Sequence, residues 1–333
     1  MRILVTGGAG YIGSHTVREL VSQGWEVVVI DNLVYGHREA IVDPSVVLLE
    51  GSLDDPKILD QAFAKKVDVV VHFAAYAYVG ESVEDPLKYY QNNLAAPLAL
   101  LSRMQQENCK QFVFSSTCAT YGIPETCPID ETFPQKPINP YGESKLMLEK
   151  VLRDCESAWG LRSIFLRYFN ASGAALDGLI GEDHNPETHL IPLVFDAALG
   201  RRDSIKVFGS DYPTPDGTCV RDYIHVLDLA SAHSKAITYL INGGTTDAVN
   251  LGTGIPISVK EIISGVEKVT GKTVPVEFTD RRAGDPPELF ADPSKAFELL
   301  SWKPEHSDLE SVLKSAYEWC SGSRNGSYSN SAS

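Results

Sequence analysis

The fold is decided by the segment Val5-Thr6-Gly7-Gly8-Ala9-Gly10-Tyr11-Ile12-Gly13, near the start of the chain. It joins a short apolar run, Arg2–Thr6, to a segment with helical spacing, Tyr11–Ser22. Glycines in this spacing permit a tight turn, let the backbone approach a pyrophosphate, and let the helix pack closely on the strand. The first turn of the helix adds unpaired N–H groups and a partial positive charge. The segment therefore predicts a diphosphate-binding turn between a first strand and a first helix.

The sequence around this turn alternates apolar strands with helical segments. Short runs rich in Val, Ile, Leu and Phe predict strands at Arg2–Thr6, Glu26–Ile30, Val46–Leu49, Asp68–Phe73 and Gln111–Ser115. Helical spacing predicts helices at Tyr11–Ser22, Leu87–Glu107 and Tyr141–Ala158. Strands that are apolar on both faces and alternate with helices indicate a parallel sheet covered on both sides. We therefore predict an α/β protein with a doubly wound parallel sheet of the Rossmann type.

An acidic residue, Asp31, follows the second predicted strand about 20 residues after the glycine turn, as in dinucleotide-binding folds. A carboxylate there accepts hydrogen bonds from both ribose hydroxyls and repels a 2'-phosphate. Its neighbour is Asn32, and no arginine is adjacent to bind such a phosphate. The sequence therefore predicts NAD, rather than NADP, as the cofactor.

The second half of the chain is richer in loops. Helical patterns there predict helices at Leu190–Leu199, Leu227–Tyr239, Val259–Thr270 and Leu309–Trp319. We predict an NAD-binding domain at residues 1–168 and a smaller, loop-rich substrate-binding lobe at residues 169–320, with elements that return to the main sheet. Residues 321–333 are rich in Ser, Gly and Asn, which predicts a disordered tail.

Composition narrows the class of partner. The formal net charge of −15 repels phosphate backbones, so no nucleic acid partner is expected. No run approaches the ~18 apolar residues of a membrane span, and the opening MRILVTGG does not have the pattern of a signal peptide. The six cysteines show no C-x-x-C pair, which is typical of free thiols in a reducing compartment. The sequence predicts a cytoplasmic protein without a membrane partner.

A tyrosine and a lysine, Tyr141 and Lys145, stand at positions i and i+4 on one face of a predicted helix. A nearby cation favours the phenolate form of tyrosine, which can then exchange protons with a sugar hydroxyl. The pair follows a predicted strand that ends in Phe114-Ser115-Ser116-Thr117. Ligands of this fold bind at the carboxyl ends of the strands. We therefore predict that Tyr141 and Lys145 are catalytic.

At these motifs the chain resembles the extended short-chain dehydrogenases that modify nucleotide sugars. The resemblance rests on Thr6–Gly13, Asp31-Asn32, His72–Ala75, Phe114–Thr117, Tyr121-Gly122, Tyr141–Lys145 and Leu166–Asn170. Later motifs narrow it to the 4-epimerases of UDP-glucose and UDP-galactose, namely Asp211–Thr214, Asp216–Thr218, Val220–Val226, Arg281-Arg282 and Gly284-Asp285. The resemblance covers essentially the whole chain up to the Ser-rich tail.

The resemblance implies a mechanism and two sets of site residues. Tyr141 takes the proton of the sugar 4-hydroxyl while tightly bound NAD oxidises carbon 4, Lys145 lowers the pKa of Tyr141 and bonds the nicotinamide ribose, and Thr117 bonds the sugar oxygen. The implied cofactor site is Gly7, Gly10, Tyr11, Ile12, Gly13, Asp31, Asn32, Ser52, Leu53, Phe73, Ala74, Ala75, Asn92, Ser115, Tyr141, Lys145 and Tyr168. The implied UDP-sugar site is Thr117, Asn170, His189, Leu190, Lys206, Val207, Phe208, Arg221, Arg282 and Asp285.

The resemblance also leaves alternatives open. Ser52 replaces an aspartate that usually meets the adenine, and Leu289 replaces a large aromatic found in some members, which leaves room for an N-acetylated sugar. The run Ser115–Gly122 is similar to that of UDP-xylose (UDP-arabinose) 4-epimerases. The resemblance further implies a homodimer through Leu87–Glu107 and Leu146–Cys155, although these segments are equally consistent with packing on the sheet.

Three other functions remain possible, and each makes a different demand on the residues of the site or on the cofactor. A nucleotide-sugar dehydratase, which is a lyase, needs a carboxylic acid beside the reactive Thr117, whereas Cys118 and Ala119 follow it here. A non-catalytic NAD-binding protein would not need Tyr141 and Lys145, and a simple dehydrogenase would consume free NAD.

The histidines do not predict a metal site. His184 with His189, and His225 with His233, lack supporting Cys or carboxylate ligand spacing. For His225 a structural role at a strand-to-helix turn is expected.

Overall fold

A seven-stranded parallel sheet forms the centre of the computed structural model, which describes residues 1–282 and 284–330. In chain order the strands are β1 (Arg2–Thr6), β2 (Glu26–Asp31), β3 (Val47–Glu50), β4 (Val69–His72), β5 (Gln111–Thr117), β6 (Arg162–Tyr168), β7 (Asn170–Ser172), β8 (Ile205–Phe208), β9 (Val220–Arg221), β10 (Tyr223–His225), β11 (Asp247–Leu251), β12 (Ile257–Ser258), β13 (Val276–Thr279) and β14 (Glu288–Leu289). The central sheet has the order β3-β2-β1-β4-β5-β6-β11, and all its pairs are parallel.

The helices cover both faces of this sheet and build the second lobe. They are α1 (Tyr11–Ser22), α2 (Pro56–Ala62), α3 (Val79–Glu84), α4 (Pro86–Tyr90), α5 (Ala96–Gln106), α6 (Pro140–Trp159), α7 (Leu190–Ala198), α8 (Val226–Ile241), α9 (Val259–Thr270), α10 (Ser294–Leu300) and α11 (Leu309–Ser321). Short 3-10 turns lie at Arg38–Ala40, Cys118–Tyr121 and Tyr328–Asn330. Among the described residues, none of the helices combines the length and the apolar composition that a bilayer span requires.

The apolar composition of the strands explains why the sheet is buried. Every residue of β4 is buried, and so are the last four residues of β1. Val and Ile suit a pleated surface with packing on both faces, because their branched side chains fill the space between sheet and helices. The prediction of a doubly wound parallel sheet is confirmed, and each of the five predicted strands is present to within two residues at either end.

One predicted helix is interrupted. Instead of one element at Leu87–Glu107, α4 is followed by a π-helical turn at Gln91–Ala95 and then by α5. Pro97 has no N–H to donate to the carbonyl of Asn93, and its ring crowds that carbonyl, so the regular hydrogen-bond ladder is broken there. The buried Asn93 side chain uses the space to bond the Tyr76 N–H (2.8 Å) and carbonyl (3.0 Å).

A separate apolar core in the second half of the chain is formed largely by α7, α9 and α11 with strand β8. Strand β13 pairs with β8 at the edge of this core, where Val276 and Phe278 are exposed. One element of the second half, β11, lies in the central sheet beside β6. Residues 321–330 differ from the expected disordered tail: Tyr328 is buried and its ring packs on Trp319, with ring centroids 4.9 Å apart. The large apolar area of a tyrosine ring explains why this part of a polar segment is held against the core. The rest of the expected tail, residues 331–333, lies outside the described residues.

The turn between β1 and α1 requires glycine at two positions. Gly7 has a φ of +71°, and a Cβ built on it would lie 2.5 Å from the backbone nitrogen of Ala74. A Cβ on Gly13 would lie 2.1 Å from the carbonyl oxygen of Gly7. The turn and the start of α1 therefore touch through backbone atoms, with no space left for a side chain.

Replacing Gly13 by alanine should destabilise the protein, because the new methyl group meets backbone that cannot rotate away. We expect the free energy of unfolding of Gly13→Ala to fall by about 1–3 kcal/mol, as for other overpacked sites. Urea denaturation measures this. The control is Gly80→Ala in α3, where a Cβ would meet nothing within 4 Å. Equal stability of Gly13→Ala and the wild type would show that the turn is not as tight as the structure has it.

Candidate active site

A cavity of about 1480 Å³ opens along the carboxyl edge of the sheet, between the sheet and the second lobe. Its wall contains residues that end or follow five of the strands, namely Gly7, Asn32, Phe73, Thr117 and Phe169. This is the edge at which doubly wound folds bind ligands. Every residue expected to bind cofactor or substrate lines this cavity except Ser115.

Ser115 lies behind the wall of the cavity. Its carbonyl oxygen accepts a hydrogen bond from the ammonium of Lys145 (2.8 Å), and its hydroxyl bonds the hydroxyl of Tyr168 (2.5 Å). The structure therefore places Ser115 where it holds two other predicted site residues, and its own cofactor contact stays a prediction.

The helix α6 presents Tyr141, Lys145 and Glu149 to the sheet. The three residues are spaced four apart, so they lie on one face of the helix, and all three are buried. The start of the helix is fixed by Asn139, whose side-chain oxygen accepts the N–H of Gly142 (2.9 Å), and by Pro140 in the first turn. A Cβ on Gly142 would lie 2.6 Å from the carbonyl oxygen of Ala119, so this end of α6 sits directly against the residues after β5.

Glu149 anchors this face of α6 to the sheet. Its carboxylate receives two hydrogen bonds from the guanidinium of Arg167 on β6, at 3.0 Å and 2.6 Å, and one from the hydroxyl of Ser116 on β5 at 2.6 Å. The side chains of Glu149 and Arg167 are 3% and 4% exposed. Arg167 also donates to the hydroxyl of Tyr121 (2.9 Å), which donates to Asn250 on β11 (2.7 Å). Three strands and one helix are thus joined by one buried polar network.

Burial controls the charge of the catalytic pair. It raises the pKa of Tyr141 well above its usual value, with Tyr168 adding to this and a hydrogen bond with Thr117 opposing it. Burial lowers the pKa of Lys145 to about 7, although Glu149 acts in the opposite direction. The family resemblance implies that Lys145 lowers the pKa of Tyr141. In this structure the ammonium instead bonds the Ser115 carbonyl and lies 4.9 Å from the ring centroid of Phe114.

At the opposite end of the cavity, Asp31 closes the glycine turn. Its two carboxylate oxygens accept the N–H groups of Ala9 and Leu33, each at 2.9 Å. Burial raises the pKa of this carboxyl, and these two hydrogen bonds oppose the rise. Asn32, Ser52 and Leu53 line the cavity beside it. The close backbone contacts of the turn and an acid at the end of β2 fit a dinucleotide without a 2'-phosphate.

The far wall of the cavity carries the arginines expected to bind a diphosphate. Arg221 donates to the carbonyl oxygens of Val220 (2.8 Å) and Pro286 (3.0 Å), and its other terminal nitrogen lies 3.6 Å from a carboxylate oxygen of Asp285. The exposed Arg282 lies over the ring of Phe208, 4.3 Å from its centroid. Two fork-shaped donors therefore share one wall with the residues expected to surround a nucleotide.

The cavity is also lined by Leu289, which pairs in register with Arg221 between β14 and β9. Its side chain packs against a small cluster that contains Cys118 and Phe169. Burial raises the pKa of the Cys118 thiol to about 12, so this neighbour of Thr117 is a much weaker proton donor than a carboxylic acid.

Two groups of cavity residues were missed from the sequence. One is the aromatic set Tyr35, Tyr76 and Tyr78, which has no sequence signature. The other is Glu182 and His184, which lie with Glu187 and the predicted site residue His189 in one group of two histidines and two glutamates. Along the chain the two acids alternate with the two histidines, but this spacing does not by itself predict that the four side chains converge.

Comparisons with known proteins agree with this geometry. A sequence model of the NAD dependent epimerase/dehydratase family matches residues 3–252. The chain is 52% identical over 319 residues to a UDP-glucose 4-epimerase of Rhizobium leguminosarum bv. trifolii, covering 95% of this chain and 96% of the relative. A Brucella ovis UDP-glucose 4-epimerase, solved in complex with NAD, has 50% identity and a TM-score of 0.92, with 96% of this chain and 98% of that one covered. A UDP-Glc/GlcNAc 4-epimerase of Campylobacter jejuni has 45% identity and a TM-score of 0.85, with 96% and 98% covered.

Lys145 should make the nucleotide-free protein less stable at neutral and acidic pH. Its pKa is lowered from the usual value of 10.5 to about 7, so the unfolded chain binds the additional proton between these values. Wild-type stability then rises with pH in that window. We expect Lys145→Met to be more stable than the wild type by about 1–4 kcal/mol below pH 7, with the difference shrinking towards pH 10.

Urea denaturation across this pH range measures the difference. Lys150→Met, on the exposed face of the same helix, is the matched control and should track the wild type at every pH. A constant offset between Lys145→Met and the wild type from pH 6 to pH 10 would contradict the lowered pKa.

Proposed function

The chain belongs to the NAD dependent epimerase/dehydratase family, and from this premise we propose that it is a UDP-glucose 4-epimerase, with NAD as its retained cofactor. It interconverts UDP-glucose and UDP-galactose. The observation that carries the proposal is the position of Tyr141, with Thr117 beside it and Lys145 one helical turn on. This group stands in the same cavity as the glycine turn on one side and the arginine wall on the other.

NAD fits the side of the cavity that is formed by the glycine turn. Gly7 and Gly10 donate their own N–H groups within the turn, to Ile30 and Gly7. The first turn of α1, which starts at Tyr11, offers its backbone N–H groups to the diphosphate, and Asp31 accepts from the ribose hydroxyls. The residues from Phe73 to Ala75 close the opposite side of the turn, in backbone contact with Gly7. When bound, NAD supplies the reversible oxidation of sugar carbon 4 and a positive ring charge that favours the phenolate of Tyr141.

Tyr141 moves the proton of the reaction. As the phenolate, it accepts the proton of the sugar 4-hydroxyl and becomes the neutral phenol, which later returns that proton to the oxygen of the 4-keto sugar. Thr117 holds the sugar oxygen beside the phenol, and the Lys145 ammonium, held by the Ser115 carbonyl, is placed to bond the nicotinamide ribose. Burial raises the pKa of Tyr141 and a hydrogen bond with Thr117 opposes that rise, so Thr117 favours the phenolate that the reaction needs.

The UDP portion of the substrate fits the wall of the cavity that carries the two arginines. Arg221 and Arg282 provide guanidinium donors for the diphosphate. Asn170, Leu190 and Phe208 lie along the same wall. His189, Lys206, Val207 and Asp285 complete the proposed nucleotide site.

A second candidate substrate is UDP-N-acetylglucosamine. Leu289, at the sugar end, is smaller than an aromatic residue and leaves space for an N-acetyl group. The Campylobacter jejuni relative is described as acting on both the glucose and the N-acetylglucosamine forms. UDP-xylose and UDP-arabinose form a third pair that the residues after β5 allow.

A dehydratase reaction is less well supported. It needs an acid beside the reactive hydroxyl to expel water, and Thr117 is followed by Cys118 and Ala119. With a thiol pKa of about 12, Cys118 does not supply that proton.

We also propose a homodimer that works in the cytoplasm. The helices α3, α4 and α5 expose Val83, Leu87 and Leu98, at 62%, 68% and 42%, which suits burial against a second copy. All six cysteines are free thiols, as in a reducing compartment.

Incubation with separate UDP-sugars tests the proposed function. Purified protein is mixed with UDP-galactose, UDP-xylose or UDP-N-acetylglucosamine, without added reductant, and the 4-epimers are followed by NMR. We expect UDP-galactose to give UDP-glucose with no net change in NADH absorbance. Tyr141→Phe should lose about 100-fold to 10,000-fold of the rate, the usual contribution of a general acid–base group.

The control variant is Tyr239→Phe, whose hydroxyl bonds Thr245 outside the cavity, and it should keep the full rate. Absence of epimer from all three sugars, or full turnover by Tyr141→Phe, would remove the proposed function. Conversion of UDP-N-acetylglucosamine in addition would establish the wider substrate range.

A further inference from the structure

Two histidines and two glutamates meet on the loop that leads into α7. They are Glu182, His184, Glu187 and His189, and each offers one ligand atom within 4.8 Å of all the others. The mechanism proposed above assigns no role to three of the four. The loop forms part of the cavity wall opposite the sheet.

The side chains converge on a common point. The Nδ1 atoms of both histidines face the same oxygen, Oε1 of Glu182: that of His189 is in direct contact with it, and that of His184 lies 3.3 Å away. The Nδ1 of His184 also lies 3.6 Å from Oε2 of Glu187. Bonds of about 2.0–2.2 Å to a tetrahedral Zn²⁺ set neighbouring ligand atoms roughly 3.3–3.6 Å apart, which is the spacing of the His184 Nδ1 atom from the two carboxylates. The Nδ1 of His189 and Oε1 of Glu182 would move apart to admit the ion between them.

Two further observations point to a missing central partner. The Nδ1 atom of His184 is buried and makes no hydrogen bond, which is costly for a polar nitrogen. The Glu187 carboxylate is held by its Oε1, which accepts the N–H groups of Thr188 (2.7 Å) and His189 (2.8 Å), so that Oε2 is turned towards His184. The Glu182 side chain is 6% exposed.

We propose that Glu182, His184, Glu187 and His189 bind one divalent transition-metal cation, with Zn²⁺ as the best match. Two imidazole nitrogens and two carboxylate oxygens form a borderline ligand set that suits Zn²⁺ better than the all-oxygen sets of Mg²⁺ or Ca²⁺. With neutral imidazoles, the two carboxylates carry a charge of −2, which the cation neutralises.

By binding side chains from both ends of residues 182–189, the cation would fix the conformation of this loop where it enters α7. His189 directly precedes α7, and Leu190 is its first residue. The ring of His184 packs edge-on against Tyr11 and Tyr78, at 6.2 Å between centroids in each case. The ion thus joins the loop that precedes α7 to the wall beside the glycine turn, and its role is to hold the cavity in shape.

The rival explanation is an ion-paired cluster without metal. Burial lowers the pKa of His184, but the two carboxylates outweigh it and raise that pKa to about 10, and Glu182 likewise raises the pKa of His189. Two protonated imidazoles would then balance the two glutamates. This arrangement places two like charges side by side, with ring centroids 5.3 Å apart. Metal binding displaces those protons, so the two explanations differ in a measurable way.

Zn²⁺ titration of the full-length chain decides between them. The protein carries no histidine tag, is stripped with EDTA, and is titrated with Zn²⁺ in competition with a chromophoric chelator. We expect one Zn²⁺ per chain, and a visible spectrum typical of tetrahedral coordination when Co²⁺ is used instead. The double variant His184→Gln/His189→Gln should bind at least ~100-fold more weakly, because it lacks two of the four ligands.

The control variant is His306→Gln, a partly buried histidine outside the group, and it should bind like the wild type. If circular dichroism shows that the double variant does not fold, Glu187→Gln replaces it, with an expected loss of at least ~10-fold. Absence of saturable binding by the wild-type chain would overturn the proposal. So would unchanged affinity in the folded double variant, which would assign the Zn²⁺ to other residues such as the free cysteines. None of these readings depends on the proposed epimerase activity.

Discussion

The buried ion pair between Glu149 and Arg167 is the constraint on which the site depends. Burying two charges is expensive, and removing one partner of such a pair costs about 3–5 kcal/mol. Here the Glu149 carboxylate is satisfied from two strands at once, by Arg167 and Ser116. Because Tyr141, Lys145 and Glu149 repeat every four residues, fixing Glu149 also fixes the rotation of α6. The phenol then faces the end of β5, where Thr117 stands.

Burial makes this position chemically useful. The same desolvation raises the pKa of Tyr141 and lowers the pKa of Lys145 to about 7. The charged form of either side chain therefore raises the free energy of the protein until a bound ligand stabilises that charge. The glycine turn is also preorganised for a ligand, because the backbone N–H donors at the start of α1 are oriented before any phosphate binds. The protein holds polar groups ready in a largely apolar setting, which is what makes electrostatic stabilisation strong.

Much of this followed from the sequence, and the exceptions have physical causes. The strands β1 and β5, the glycine turn and the Tyr–Lys spacing are local patterns, and the fold brings them together in a known way. The π-helical turn at Gln91–Ala95 was not predicted, because Pro97 disturbs the helix at a distance: it cannot donate a hydrogen bond to the carbonyl of Asn93, four residues earlier. The packing of Tyr328 was not predicted, because the polar composition of residues 321–333 indicates disorder even though the segment contains this one large apolar ring. Spacing alone does not decide the direction of the Lys145 ammonium, towards Ser115, or the convergence of Glu182, His184, Glu187 and His189, because both depend on the tertiary structure.

The central claim is that carbon 4 of the sugar is inverted through transient oxidation, with Tyr141 exchanging only the hydroxyl proton. The most direct test uses UDP-glucose with deuterium at sugar carbon 4, incubated with the enzyme in ordinary water and excess unlabelled NADH. Mass spectrometry and NMR then locate the label in the UDP-galactose formed. The account predicts that the deuterium stays on carbon 4, because what leaves that carbon returns to it within one closed site. Loss of the deuterium to water would contradict it, since that would require proton abstraction from the carbon itself.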